Sequence, residues 1–280
     1  AKKEGIVKFN ISKQNCNLLS LEEKLKHTFG LDDVIIIPSL LSTQNEKQLK
    51  KELAEAALFY LEEKWQDFDL VGIGMGDTLK YFATQLLVHG DTKCDNLKIV
   101  SLFGNLLPNI SVNPYSIGYK IAEKLNAKFY GLWAPAKVDS IEYAKAFKEQ
   151  RIIKEVLLMI QHLQFSIVGI GNIETGLIRK FGIINDQIVS DLINKGVIGE
   201  ILGYTYNMKG EPVLTQLKET IIGAPVKIPG KTMAIAGGEE KKYPILGALR
   251  GRLVDVLVTD EDTAKSVLKK HQHLKKGVFV

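Results

Sequence analysis

Gly72, Gly74 and Gly76 alternate with Ile73 and Met75 where the apolar run DLVGIG gives way to the helical segment DTLKYFATQL. Glycine in a strand-to-helix turn lets backbone N–H groups approach a ligand closely, and a helix N-terminus attracts anions. The chemistry on offer is the holding of a phosphate. Thr78 adds a hydroxyl in the first helical turn, able to donate to a phosphate oxygen or, in a structural role, to cap the helix. A second pair, Gly237 and Gly238, precedes another helical segment carrying Lys241, which supplies the positive charge a phosphate prefers. The glycine spacing is neither GxGxxG nor the lysine-containing P-loop, which disfavours a dinucleotide or ATP. A tight turn also needs glycine when no ligand is present, so packing alone is the competing reading of each turn. Together, amides, a hydroxyl and a lysine describe a cradle for a small phosphorylated molecule.

Four apolar runs end in glycine-bearing turns: GIGMGDT at 72–78, FGN at 103–105, GIGN at 169–172 and AGGEEKK at 236–242. If those runs are parallel strands, their ends share one edge and border one crevice. A sugar-phosphate isomerase or deaminase would add a general base. Glu200 and Asp260 lie near strand boundaries, where ordinary surface carboxylates also occur. No HExxH, GxSxG or Ser/His/Asp signature is present. Cys16 and Cys94 are not in CxxC spacing, and His271 and His273 stand in a lysine-rich tail without further ligands. No catalytic thiol, metal or other cofactor is expected.

The elements that must position these turns follow from periodicity. Ile6 to Ile11 alternates as a strand, 21–30 has helical spacing, and VIIIP at 34–38 is a short apolar strand. EKQLKKELAEAALFYLEEKW is an amphipathic helix whose lysines, interleaved with Glu, resemble a solvated face. Strand and helix then alternate: helix 77–88, a strand from Leu97, helix 114–125, a strand from Phe129, one long helix over 141–163, a strand from Phe165 and a helix in DQIVSDLINKG. EILGYTYNMKGEPV breaks the rhythm as a hairpin turning at MKGE; TMAIAGG, EEKKYPILGALRG, VDVLVTD and DTAKSVLKK restore it. This order predicts a Rossmann-like α/β domain, a mostly parallel sheet with helices on both faces and a small β-hairpin insertion. With 280 residues, 45% hydrophobic, the chain is long enough to bury a substantial core. No apolar run reaches the roughly 18 residues a membrane helix needs, and no signal-peptide pattern opens the sequence, so a cytoplasmic protein without membrane contact is expected. A net charge of +5, dispersed over helix faces, does not by itself argue for nucleic acid.

The ordered set GIGMGDTL, NPYSIGYKIAEKLNAKFYGLWAPA, FSIVGIG, GVIGEILGYTYNMKGEPV and AIAGGEEKKYPILGALRGRLVDVLVTDEDTA resembles the sugar-binding domain of the SorC family of bacterial transcriptional regulators. The similarity extends from EGIVKF to DTAKSVL. The resemblance implies a fold like that of glucosamine-6-phosphate deaminase and ribose-5-phosphate isomerase, used to sense a phosphorylated sugar without transforming it. It also implies that residues 1–280 form an effector-binding and oligomerisation domain, dimeric or tetrameric, that reaches operator DNA through an N-terminal helix-turn-helix domain absent from this chain. An isomerase or deaminase of the same fold is the alternative. The family's phosphate loop matches Gly74, Met75, Gly76, Asp77 and Thr78, and its Gly-Gly-x-x-Lys segment matches Gly237, Gly238 and Lys241. The sugar-contacting positions match Asn113, Arg179 and Glu200. Two departures matter. Phe103, Gly104 and Asn105 stand where some relatives carry a basic residue before a Gly-Gly pair, which favours a monophosphate, and Glu239 replaces the usual Ser or Thr, placing a like charge near the phosphate turn unless its side chain points outward.

Overall fold

A computed structural model describes residues 13–39, 45–87, 94–106, 110–213, 216–225 and 227–275. In chain order the elements are α1 (Lys13–Phe29), β1 (Asp33–Ile37), α2 (Glu46–Leu61), β2 (Leu70–Ile73), α3 (Asp77–Gln85), β3 (Lys98–Ser101), α4 (Pro114–Leu125) and β4 (Lys128–Tyr130). There follow α5 (Ile141–Glu149), α6 (Arg151–Ile160), β5 (Phe165–Val168), α7 (Leu177–Lys180), α8 (Asp186–Asn194), β6 (Val197–Ile201) and β7 (Tyr204–Asn207). The chain ends with α9 (Gln216–Thr220), β8 (Lys231–Ile235), α10 (Lys242–Arg250), β9 (Val256–Asp260) and α11 (Glu261–Lys275). The strand expected over Ile6 to Ile11 lies outside the described residues. Among the described residues, no helix is long and apolar enough to cross a membrane.

Seven strands pair in the order β1-β9-β8-β5-β2-β3-β4, every pair parallel. Parallel pairing requires each strand to be re-entered from the same end, so crossovers cover the faces and strands become apolar on both sides. The pleat then sorts alternate residues into two cores. Ile99, Val256 and Val258 pack on one face with Leu53, Leu61, Phe82 and Ile121 from α2, α3 and α4. Val100 and Leu257, one residue along their strands, pack on the other with Leu25, Val156, Leu246 and Val267 from α1, α6, α10 and α11. The expected α/β fold with helices on both faces is therefore present.

Two local expectations are corrected. The single helix over 141–163 is two, α5 and α6, separated at Gln150, whose backbone is extended (φ −61°, ψ 130°). No glycine or proline causes the break. Its reason lies in phase: buried Ala144 and the buried stripe Ile153, Val156 and Ile160 would stand roughly half a turn apart on a continuous helix. Breaking the helix at Gln150 lets both stripes face the core.

The hairpin also turns earlier than MKGE. Leu202 and Gly203 join β6 to β7, with φ of 52° and 77°, the two-residue turn that matches strand twist. Leucine in a left-handed conformation is uncommon, which hid the turn. MKGE forms a second turn, where Asn207 N–H donates to the Glu211 carbonyl at 3.0 Å and Tyr206 bridges Pro212.

Replacing Gly203 by Ala places a side chain in left-handed backbone and brings its Cβ 2.9 Å from Ile221 Cδ1. The expected cost is about 1–2 kcal/mol, read as a lowered urea midpoint at unchanged m value; an unchanged midpoint contradicts this turn.

Candidate functional site

From β2 the chain proceeds through α3 to β3 on one side, whereas β5 leads to β8 and β9 on the other. The direction of winding thus reverses between β2 and β5. Diverging crossovers leave a crevice at the carboxyl ends of such strands, the usual ligand position in open α/β sheets. A cavity of about 730 Å³ opens there, lined by the turns after β2, β5 and β8 and by the start of α2. Its volume suits a small ligand.

The turn after β2 is held by its backbone. Gly74 N–H donates to the Ile167 carbonyl at 2.9 Å and Gly76 N–H to the Val112 carbonyl at 3.2 Å. Asn45, Ser140 and Asn185 cap α2, α5 and α8 with their side chains, but Gly76 has none to offer α3. Asp77, Thr78 and Leu79 all line the cavity, in the first turn where amides lack intrahelical acceptors. Thr78 is therefore not the helix cap. Lys241, its side chain 16% exposed, enters from the turn after β8 and meets Glu240 Oε1 at 3.4 Å. The turn that carries it is anchored beneath: buried Asp260 accepts from Gly238 N–H at 2.7 Å and from Thr263 Oγ1 at 2.7 Å. Asp260 is thus spent on structure.

Glu200 reaches the cavity from β6. Gly171 and Glu200 exchange two backbone hydrogen bonds of 2.9 Å, docking the hairpin onto the end of β5. The carboxylate is buried and accepts from Gly203 N–H at 2.7 Å. A Cβ at Gly171 would coincide with the Glu200 carboxyl and displace it. Burial pushes the Glu200 pKa above its ordinary value of 4.5, opposed by the Gly203 hydrogen bond and by the charge of Lys241.

The cavity gathers Met75, Gly76, Asp77, Thr78, Glu200, Gly237, Gly238 and Lys241. Three other residues singled out in the sequence are placed elsewhere. Gly74 lies just behind the wall, where Leu202 closes on it. Asn113 is buried, its amide bonded to the backbone N–H and carbonyl of Leu106. Arg179 pairs with Asp186 at 3.0 Å and donates to the Glu174 carbonyl at 2.8 Å, in a shallow neighbouring groove. The FGN turn does not border the cavity: Phe103 is fully buried and Gly104 packs against Pro135. Glu239 points outward, its carboxylate held by Lys242 and by Ser266 Oγ at 3.4 Å. Sequence reasoning missed Glu46 and Lys50 of α2, and Thr175 and Lys180 around α7. Lys50 stands four residues after Glu46, and that helical pairing gave it the look of a surface lysine.

A carboxyl with a raised folded pKa keeps its proton at pH values where the unfolded chain has lost it, so stability falls as pH rises through that window. Relative to a Glu200→Gln variant, the unsubstituted protein is expected to lose stability progressively above about pH 4.5 and to draw level below it. Urea denaturation between about pH 4 and pH 8 measures this; a difference that does not change with pH contradicts the burial of this carboxyl.

Residues 13–269 match the family model described as "Putative sugar-binding domain". The chain is 28% identical over 268 residues to the erythritol catabolism regulatory protein EryD of Brucella abortus, covering 95% of this chain and 84% of that protein. It is 29% identical over 276 residues to the transcriptional regulator LsrR of Escherichia coli K12, with 95% and 82% covered. Among solved structures, the "Putative Sugar-Binding Domain of Transcriptional Repressor" from Vibrio fischeri superposes with a TM-score of 0.81 at 26% identity, covering 91% of this chain and 99% of that one. The full-length sorbitol operon regulator SorC from Klebsiella pneumoniae shares the fold, with a TM-score of 0.82 at 23% identity and 95% and 86% coverage. With its parallel sheet, docked hairpin and glycine-edged cavity, this chain belongs to the family of sugar-binding domains found in SorC-type bacterial transcriptional regulators.

Proposed function

We propose that the cavity binds a phosphorylated sugar as an effector and that binding controls DNA recognition by a helix-turn-helix domain attached to this one. One observation carries the reading. The cavity at the winding reversal brings the start of α3, which no side chain caps, Thr78 and the largely buried Lys241 to one space that Glu200 also lines. Amides, a hydroxyl and an ammonium complement a phosphate, while a buried carboxyl that accepts hydrogen bonds suits sugar hydroxyls. The names of the relatives, regulators of erythritol catabolism and of a sorbitol operon, agree with a polyol or sugar as the remainder of the ligand. A single phosphate is favoured because the FGN turn is spent on packing and brings no cation to the cavity.

Control follows if the effector binds one arrangement of a dimer or tetramer more tightly than another, since only differential affinity shifts a conformational equilibrium. That shift would change the spacing of attached recognition helices relative to operator half-sites. The acid/base set of an isomerase is poorly supplied. Among the described residues no histidine or cysteine lines the cavity, and one Glu200 oxygen is already engaged by Gly203.

Thermal-shift screening of aldose and ketose monophosphates, with isothermal titration of the hits, tests the reading. Lys241→Ala is expected to weaken binding about tenfold to hundredfold and Thr78→Val about tenfold. Absence of binding to every monophosphate contradicts the proposal. Product analysis after prolonged incubation is expected to return the sugar phosphate unconverted; turnover of about one per second favours the enzyme instead.

A further inference from the structure

The start of α3 poses an electrostatic problem for any anion bound there. Asp77 is the first residue of that helix and lines the cavity, so its carboxylate occupies the same favourable end of the helix dipole that a phosphate would use. Glu46, at the start of α2, adds a second carboxylate to the same wall. Two like charges at one cavity repel an incoming anion unless a cation lies between them.

One cation does. Lys50, projecting from the second turn of α2, places Nζ 3.4 Å from Asp77 Oδ2 and 2.5 Å from Glu46 Oε1. Its side chain is 24% exposed, against 38% for Asp77 and 71% for Glu46, so the ammonium is partly withdrawn from water while its partners remain hydrated. Burial pulls the Lys50 pKa down, but the hydrogen bond to Glu46 and the charge of Asp77 outweigh this and hold it above the ordinary lysine value. On the turn after β8, Lys241 faces Glu240 at 3.4 Å, and its charge offsets part of the burial-driven rise of the Glu200 pKa. Lys180, which is exposed, completes the lysines of the cavity.

We propose that Lys50 is a specificity-determining residue of this cavity: by neutralising Asp77 it makes the start of α3 acceptable to a phosphate ester. The inference rests on the reading of the cavity as a sugar-phosphate site and adds the charge logic of its α2 wall. Lys50 acts through Asp77 and is in this sense a positioning residue. Its removal should harm phosphate binding because it unmasks a carboxylate, and removing that carboxylate as well should repair the harm.

The test is a double-mutant cycle on the full chain with Lys50→Met, Asp77→Asn and the combination. Hexose 6-phosphates and pentose 5-phosphates serve as probes, and the one that binds the unsubstituted protein most tightly is carried through by isothermal titration. Lys50→Met is expected to weaken that binding at least about tenfold, Asp77→Asn to tighten it, and the double variant to return within about threefold of the starting affinity. A lysine that served only packing would not be rescued by a second substitution on another helix. A Lys50→Met variant within about twofold of the starting affinity, or a double variant as weak as Lys50→Met, overturns the proposal while leaving the sugar-phosphate reading intact. Failure of the unsubstituted protein to bind any of the probes overturns both. If far-UV circular dichroism shows that Lys50→Met does not fold, Asp77→Asn decides: tighter binding supports the role of Lys50, and equal or weaker binding overturns it.

Discussion

Parallel strands can be joined only by crossovers, and in this chain the crossovers run one way from β2 and the other way from β5. The divergence forces a gap between the ends of two neighbouring strands, and the remainder of the site is an answer to that gap. Below it the sheet is closed by side chains that the pleat divides between two apolar cores. Above it, backbone turns come close because they carry little or no side chain. The hairpin β6–β7 then covers one flank, fixed by the paired bonds between Gly171 and Glu200 and by the bond from Gly203 to the Glu200 carboxylate. Glu200 thus ties the hairpin to the sheet and lines the cavity, its side chain occupying the space that a Cβ at Gly171 would need.

Charge within the cavity is balanced locally. Carboxylates outnumber lysines along its walls, yet Glu239 turns outward to Lys242, Glu240 is shared between Lys241 and Thr175, and Glu46 and Asp77 are shared by Lys50. Two of these contacts join different elements: Lys50 of α2 with Asp77 of α3, and Glu240 of the segment after β8 with Thr175 of the segment after β5. The pairs therefore also brace the elements that would have to move if a ligand drew a lysine away. Thr175 donating to Glu240 at 3.2 Å and Asn172 donating to its carbonyl at 3.3 Å link the segment after β5 to the segment after β8. Such cross-links are where a bound anion would be felt by the rest of the domain.

Much of the architecture was legible because parallel strands are apolar on both faces and end in glycine turns; the strands at 70–73, 165–168 and 231–235 follow directly from that pattern. The turn at 74–78 and Lys241 stood out in the same glycine turns, while Glu200 was singled out through the family resemblance, and all of them line the cavity except Gly74. What escaped has identifiable causes. The break at Gln150 depends on the phase of two buried stripes, a relation that a helical window of constant period averages away. The turn at Leu202 uses a residue type that disfavours its own conformation, and its side chain lines the cavity, so local strain and site geometry coincide. Asn113 occupied a family position but serves the backbone of Leu106, a distinction that composition cannot convey. Lys50 had the spacing of an ordinary helix-surface ion pair; only the packing of α2 against α3 turns it toward Asp77.

The central claim is that the uncapped start of α3 and the turn after β8 jointly hold an anionic sugar. It is tested most directly by following backbone amide resonances of the 15N-labelled domain during titration with a sugar monophosphate. The account predicts saturable shifts concentrated at Asp77, Thr78 and Leu79, at Gly169 to Gly171, and at Gly237 to Lys241. Shifts confined to other surfaces, or none at saturating ligand, would contradict it.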